Sequence, residues 1–255
     1  MIQKISKGDG EASYSPKRGG MITSLVLHGK EILYLDRTTF ENPSGPVRGG
    51  VPILFPNAGP LKSDDFPRLM QHGFARDNEW QTQKSESEFT ETLRATDLTK
   101  SMYPYDFLLS ISGEFSDAGV FSLKQKVTSL EKEKNIPISM GLHPYFRAPC
   151  DKKNEIKFLF PGGQEIESHF DMWSNGTFYS VPNPGVDLEV IIPELGTLVL
   201  NISKEYKHIW VWSLPGKDFV CIEPVMRDPG GLAHDPEMVL PGETFTGTVS
   251  FELKA

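Results

Sequence analysis

Two cysteines are all that this 255-residue chain contains, Cys150 and Cys221, and neither belongs to a Cys-x-x-Cys pair. That spacing excludes a thiolate metal centre, a redox couple and a disulfide framework as organising features. Both thiols are expected as small buried residues in strands. No apolar run reaches the length of a membrane span, and the opening MIQKISKGDGEASYSP has no leader-like apolar stretch. With no disulfides to form, the expected location is the cytoplasm, with no membrane partner. Positive charge is also scarce: 26 Lys and Arg face 34 Asp and Glu, a net charge of −8. Such a surface repels nucleic-acid backbones, so no nucleic-acid partner is expected. A small anion held by a local arginine cluster stays compatible with it. Long helices are missing too, since no stretch keeps a 3.6-residue apolar period over three turns. There is no repeat of fixed period and no linker-like break, so residues 1–255 read as one domain.

What the chain has in quantity is turn chemistry, with 23 Gly and 20 Pro, separating short apolar runs. Met21 to Leu27 and Glu31 to Leu35 flank His28-Gly29-Lys30, a hairpin-like signal. Phe89 to Ala95, Leu108 to Phe115 and Val120 to Leu130 alternate as half-buried strands, with Phe121, Leu123 and Val127 on one face. Ile136 to Met140, Glu155 to Phe160, Val190 to Ile192 and Leu198 to Ile202 follow, and Val249, Phe251 and Leu253 alternate in the last strand. Ile209 to Trp212 and Phe219 to Glu223 are apolar on both faces, which predicts buried central strands. Between Phe40 and Phe74 the pattern dissolves into a long Pro- and Gly-rich loop, and its aromatic content argues that it is ordered and functional. The predicted fold class is all-β: one antiparallel domain packed as a large sandwich.

Four segments are more specified than turns require. Arg48-Gly49-Gly50-Val51-Pro52-Ile53-Leu54-Phe55-Pro56 sets an arginine before a double glycine and a strand. Gln71-His72-Gly73-Phe74-Ala75-Arg76-Asp77 places imidazole and guanidinium four residues apart. Gly141-Leu142-His143-Pro144-Tyr145-Phe146 holds a histidine extended before a proline. Cys221-Ile222-Glu223-Pro224 ends an apolar strand on a carboxylate, which needs either a partner or a task. Taken singly, His72 could cap backbone groups, His143 could be structural, and the arginines could be surface charges.

Together and in this order, the four segments resemble the aldose 1-epimerase family, of which the glucose-6-phosphate 1-epimerases are a close branch. The resemblance runs from Arg48 to Leu240-Pro241-Gly242-Glu243-Thr244. It implies a galactose mutarotase-like antiparallel β-supersandwich with a sugar site on the concave face of its larger sheet. By motif, His143 matches the catalytic acid and Glu223 the catalytic base, while Arg48, His72 and Arg76 match substrate-holding positions. A sugar-binding aspartate falls on Asp187, with Asp171 as the competing position. The implied reaction is ring opening and reclosure at the anomeric carbon, without metal or organic cofactor. A ring held between acid and base calls for the two groups within about 5 to 8 Å of each other. The implied partner is a small sugar or sugar phosphate, handled by a monomer or weak homodimer. Phe55, Phe74 and Trp173 are candidates to stack on the sugar; Trp210 is expected mainly in the core. The segment Val225-Met226-Arg227-Asp228-Pro229-Gly230-Gly231 departs from the family pattern where substrate selectivity is expected.

Free aldose and hexose 6-phosphate are the two substrate readings. Arg48, Arg76, Lys62 and Arg68 favour the ester, but the acidic net charge raises the cost of bringing in a dianion and makes the free aldose the expected substrate. A sugar-binding protein without turnover would keep the fold but would not need an acid facing a base.

Overall fold

The computed structural model describes residues 2–42, 45–160, 164–166 and 178–254. Strict alternation builds the larger layer. Phe107–Phe115 and Phe121–Ser129 bury every second side chain and pair antiparallel along their whole length. They lie inside a nine-stranded sheet ordered Gln164–Ile166, Lys157–Phe160, Leu188–Ile192, Gly196–Ile202, Thr244–Leu253, Phe121–Ser129, Phe107–Phe115, Glu88–Arg94, Gln81–Lys84. The second layer is a six-stranded sheet ordered Tyr179–Pro182, His208–Trp212, Phe219–Val225, Gly141–Leu142, Ile53–Leu54, with Tyr145–Arg147 also pairing with Phe219–Val225. A four-stranded sheet of the first 31 residues and the pair Ile136–Ile138 with Glu237–Val239 complete the described strands. The all-β sandwich is therefore the observed architecture, and its helices are single turns such as Arg37–Glu41 and Asp97–Lys100. Among the described residues no helix is long and apolar enough to cross a membrane.

One contiguous core joins the two layers. Phe89, Ile111, Leu123 and Phe251 from the larger sheet meet Ile53, Phe146, Val220 and Ile222 from the smaller. Each such side chain contributes about 1.5 to 3 kcal/mol on full burial. Gln125, fully buried, spans the gap: its amide donates to the Leu54 carbonyl at 3.4 Å and its oxygen accepts from the Tyr206 hydroxyl at 3.0 Å.

Two expectations are corrected, and a third, the order of the long loop, is met over its described residues. The run Glu31 to Leu35 is not a continuous strand, because only Lys30–Glu31 pairs with its neighbour. The Glu31 carboxylate accepts from the backbone N–H of Leu25 and of Leu33, both at 2.9 Å, and so takes the place of the ladder. Beyond it, Leu33 bridges Phe146 and Leu35 bridges Gly49. Cys150 is exposed rather than buried, since it lies in the turn after Tyr145–Arg147 and not in a strand. The long loop is ordered over its described residues by apolar anchors: Phe55, Phe66, Leu69 and Phe74 all enter the main core. The Arg18 guanidinium reinforces it, donating to the carbonyls of Thr39, Asn42 and Gly45.

Candidate active site

The site lies on the six-stranded sheet and not, as expected, on the larger one, and it follows from strand parity. Along Phe219–Val225, Val220 and Ile222 point into the intersheet core, so Phe219, Cys221, Glu223 and Val225 must project from the opposite face. The neighbouring strand places Trp212 across from Cys221 and Trp210 across from Glu223. On the other side Gly141 faces Val225 and Tyr145 faces Cys221, which sets His143 opposite Glu223. Gly141 is needed there, because a Cβ would lie 2.8 Å from the Val225 side chain. The outcome is an acid–base pair in cross-strand contact: His143 Nδ1 is 3.5 Å from Glu223 Oε1, with both side chains more than nine-tenths buried. The imidazole stacks on Tyr145 with centroids 4.6 Å apart and meets Trp212 edge-on at 6.0 Å.

The pair lies within the expected reach of about 5 to 8 Å, although its members stand side by side and not on two sides of a ring. The two reacting oxygens of a pyranose are bonded to one carbon, so adjacent groups can serve both.

His72 comes from the long loop in a left-handed backbone conformation, φ 69°, followed by Gly73 at φ 66°. A Cβ on Gly73 would lie 2.0 Å from the Phe55 carbonyl oxygen, so only glycine allows this approach. The Gly59 N–H donates to His72 Nδ1 at 3.0 Å, and the His72 N–H donates back to the Gly59 carbonyl. That fixes the tautomer: Nε2 carries the proton, and the Gln71 side-chain amide, 3.1 Å away, must turn its oxygen to accept it. The backbone-capping reading and the site reading of His72 thus hold together. Arg48 follows the same logic. Gly49 and Gly50 pack so tightly that added Cβ atoms would meet Leu35 Cα at 2.5 Å and the Ile22 carbonyl oxygen at 2.1 Å. Arg76 is held by one bond, its guanidinium donating to the Gln71 carbonyl at 3.0 Å, with Asp77 4.0 Å away.

These side chains open onto one cavity of about 320 Å³, lined by Arg48, His72, Arg76, His143 and Glu223 together with Gln71, Tyr145, Phe178, Trp210 and Trp212. A roomier cleft of about 650 Å³ beside Arg147 and Asp218 contains no histidine. Burial sets the charge states. It lowers the His72 pKa to about 3, helped by Arg76, so this ring is a neutral donor at any ordinary pH. Burial, then His72 and Arg76, push His143 well below its usual value. Burial alone pushes the Glu223 carboxyl well above its own. The resting pair thus favours one shared proton on the carboxyl beside a neutral imidazole. His143, Cys221 and Glu223 also offer three ligand atoms within 4.8 Å of one another. Burial keeps the Cys221 thiol protonated, and two guanidiniums line the same cavity, so the trio is poorly suited to a cation.

Of the residues singled out in the sequence, Asp187 is not brought to the cavity. It precedes Leu188–Ile192 of the larger sheet, where its carboxylate accepts from the Asn201 amide at 2.6 Å. Asp171 and Trp173 lie outside the described residues. Phe55 and Phe74 are core residues, and Trp210, expected in the core, packs with Leu54, Ala58 and Val225 in a smaller buried cluster and also lines the cavity. Lys62 and Arg68 are exposed and do not line it. Sequence reasoning missed Trp212, Tyr145 and Gln71. The parity signal was available for Trp212, two residues from Trp210 on the same face.

The arrangement sets an imidazole and a carboxylate side by side on the wall of a cavity, and the sequence profile of the Aldose 1-epimerase family matches residues 1–214. The chain belongs to that family; Glu223 lies beyond the matched residues. Protein LacX of Lactococcus lactis is 30% identical over 163 residues, 59% of this chain and 52% of that one. The Escherichia coli protein named "Putative glucose-6-phosphate 1-epimerase" is 31% identical over 142 residues, 53% and 45% of the two chains. This chain therefore spans about half the length of the curated relatives it matches. A solved Synechocystis protein superimposes with a TM-score of 0.84 at 27% identity, covering 99% of this chain and 95% of that one. A galactose mutarotase related enzyme from Lactobacillus acidophilus gives 0.82 at 18% identity, covering 100% and 98%. The fold is galactose mutarotase-like.

Proposed function

We propose that the protein is an aldose 1-epimerase that interconverts α and β anomers, with His143 as acid and Glu223 as base. The observation that carries this reading is the pair itself, cross-strand neighbours 3.5 Å apart on the wall of a cavity. The pair works with one proton. Glu223 takes the proton of the anomeric hydroxyl while His143 gives one to the ring oxygen. The C1–O5 bond breaks, and its electrons stay on the ring oxygen as C1 becomes an aldehyde. Rotation about C1–C2 and the reverse transfers close the ring on the other face. When the aldehyde is present, Glu223 is protonated and His143 neutral, the state that burial favours. The resting pair holds the same protonation, so its proton passes from Glu223 to His143 before ring opening, and ring opening returns the pair to the state that burial favours. His72, neutral with its proton on Nε2, and Arg48 would orient hydroxyls.

The substrate reading changes with the pocket in view. The net charge of −8 acts over distance and is screened beyond about 8 Å at physiological salt, whereas Arg48 and Arg76 line the cavity itself. Two guanidiniums there favour a phosphorylated aldose over a free one. The test is anomer exchange followed by NMR on glucose and glucose 6-phosphate at two salt concentrations. The expected result is at least about a tenfold higher kcat/KM on the ester at low salt, shrinking as salt rises and largely lost in Arg76→Ala. Equal rates on both sugars return the reading to a free aldose. No exchange on either, in folded protein, removes the epimerase reading.

A further inference from the structure

The segment that departs from the family pattern, Arg227 to Gly231, is tightly built. The Arg227 guanidinium donates to the Asp235 carboxylate at 2.7 Å and the Asp235 carbonyl at 2.9 Å, and reaches Glu237 at 3.4 Å. Gly231 lets the chain fold back on that side chain, since a Cβ there would lie 2.2 Å from Arg227 Cβ. What this framework presents is Asp228. Its Oδ1 accepts from the Ser180 hydroxyl at 2.6 Å and from the Trp210 indole N–H at 3.1 Å. Its Oδ2 lies 3.5 Å from His208 Nδ1. Three side chains from two adjacent strands therefore converge on one carboxylate that does not itself line the cavity.

Trp210 does line it, and its place is not set by apolar packing alone. The ring is only 3% exposed and sits across the strand pair from Glu223. Phe178 packs on it with centroids 4.8 Å apart. Gly59 makes room at its edge, where a Cβ would be 2.9 Å from the indole. Apolar contacts hold the ring in place but carry little directional preference, and the indole hydrogen bond to Asp228 supplies that direction.

We propose that Asp228 is a positioning residue: it locks the Trp210 indole as the platform for the C–H face of the sugar ring beside Glu223. The inference rests on the proposed function for its substrate, but the locking can be read without turnover. An aromatic platform acts mainly through binding, so loss of the lock raises KM more than it lowers kcat.

The experiment is a double-mutant cycle of Asp228→Ala and Trp210→Phe, with Asp228→Asn as the conservative variant. Glucose and glucose 6-phosphate serve as probes, and melting by circular dichroism checks each fold. Asp228→Ala should raise KM by about five- to tenfold with kcat within about twofold. Asp228→Asn keeps an acceptor for the indole and should stay within about twofold of wild type in KM. Phenylalanine has no N–H to lock, so Asp228→Ala should add little in the Trp210→Phe background. Independently, Asp228→Ala should shift tryptophan emission, and that difference should vanish in Trp210→Phe, although four tryptophans contribute to the spectrum. The proposal is overturned if Asp228→Ala leaves both KM and emission unchanged, or if the two substitutions act independently in the cycle. If wild type exchanges no anomers, the functional reading fails and the emission cycle alone decides the lock.

Discussion

Among the described residues Glu91 and Glu223 are the two deeply buried glutamates, one in each layer, and burial raises both pKa values, that of Glu91 to about 8. Their neighbours differ. Glu91 points into the core beside Trp80 and Gly20, and neither of its oxygens has a hydrogen-bond partner among the described residues. Glu223 stands 3.5 Å from an imidazole and opens onto a cavity. A perturbed acid is thus not by itself a site. The partner and the access make Glu223 available for proton transfer, while Glu91 is a strain on the fold.

The comparison breaks or holds first on activity. Glu223→Gln should slow anomer exchange by at least about 10²-fold with the fold intact, the lower end for a general base. Glu91→Gln should leave the rate within about twofold. A wild-type rate in a folded Glu223→Gln protein would put the two acids in one class.

Stability gives the next largest effect. In the folded state Glu91 keeps its proton up to about pH 8, whereas the unfolded chain releases it near the ordinary carboxyl value. Between those values the native state binds the extra proton, so stability falls as pH rises. Wild type should lose a few kcal/mol from this group between about pH 5 and 8, and denaturant melts of Glu91→Gln should show a flatter profile. His72 works in the opposite sense, with a shift of similar size. Its folded pKa of about 3 is depressed, so its contribution is complete above the unfolded value and is lost as pH falls towards 3. His72→Gln should remove about 2 kcal/mol of the acid-side slope between pH 6.5 and 4.5, with the slope from His143 remaining. An unchanged acid limb would show that His72 is protonated in the fold.

The two layers were not equally legible. Phe107–Phe115 and Phe121–Ser129 announce themselves because one face is buried and one is wet, which writes a period of two into the residues. Phe219–Val225 is buried on both faces, and that erases the period. The sequence shows a strand there but not that Cys221 and Glu223 leave the core while Ile222 stays in it. For the same reason Trp210 reads as core. His143, Glu223, Arg48, His72 and Arg76 were legible by motif, and the fold brings all five to one cavity. Asp187 was not, since no patterned neighbour fixed its place, and it sits on the other sheet. Glu31 shows a further limit: a side chain that takes over backbone hydrogen bonds ends a strand without a glycine or proline to mark it.

The parity of Phe219–Val225 has a consequence for insertions and deletions. Because side chains alternate along a strand, losing one residue between Phe219 and Ile222 while the later ladder slips to close the gap would exchange its two faces. Glu223 would enter the space filled by Ile222 among the core aliphatics, and a branched alkyl group would face the cavity. Substitutions at Val220 or Ile222 trade one apolar shape for another and leave the acid–base pair in place. A length change of one residue is the smallest edit that removes the chemistry and damages the core together, so natural length variation in this family should fall in the connecting loops and spare this strand.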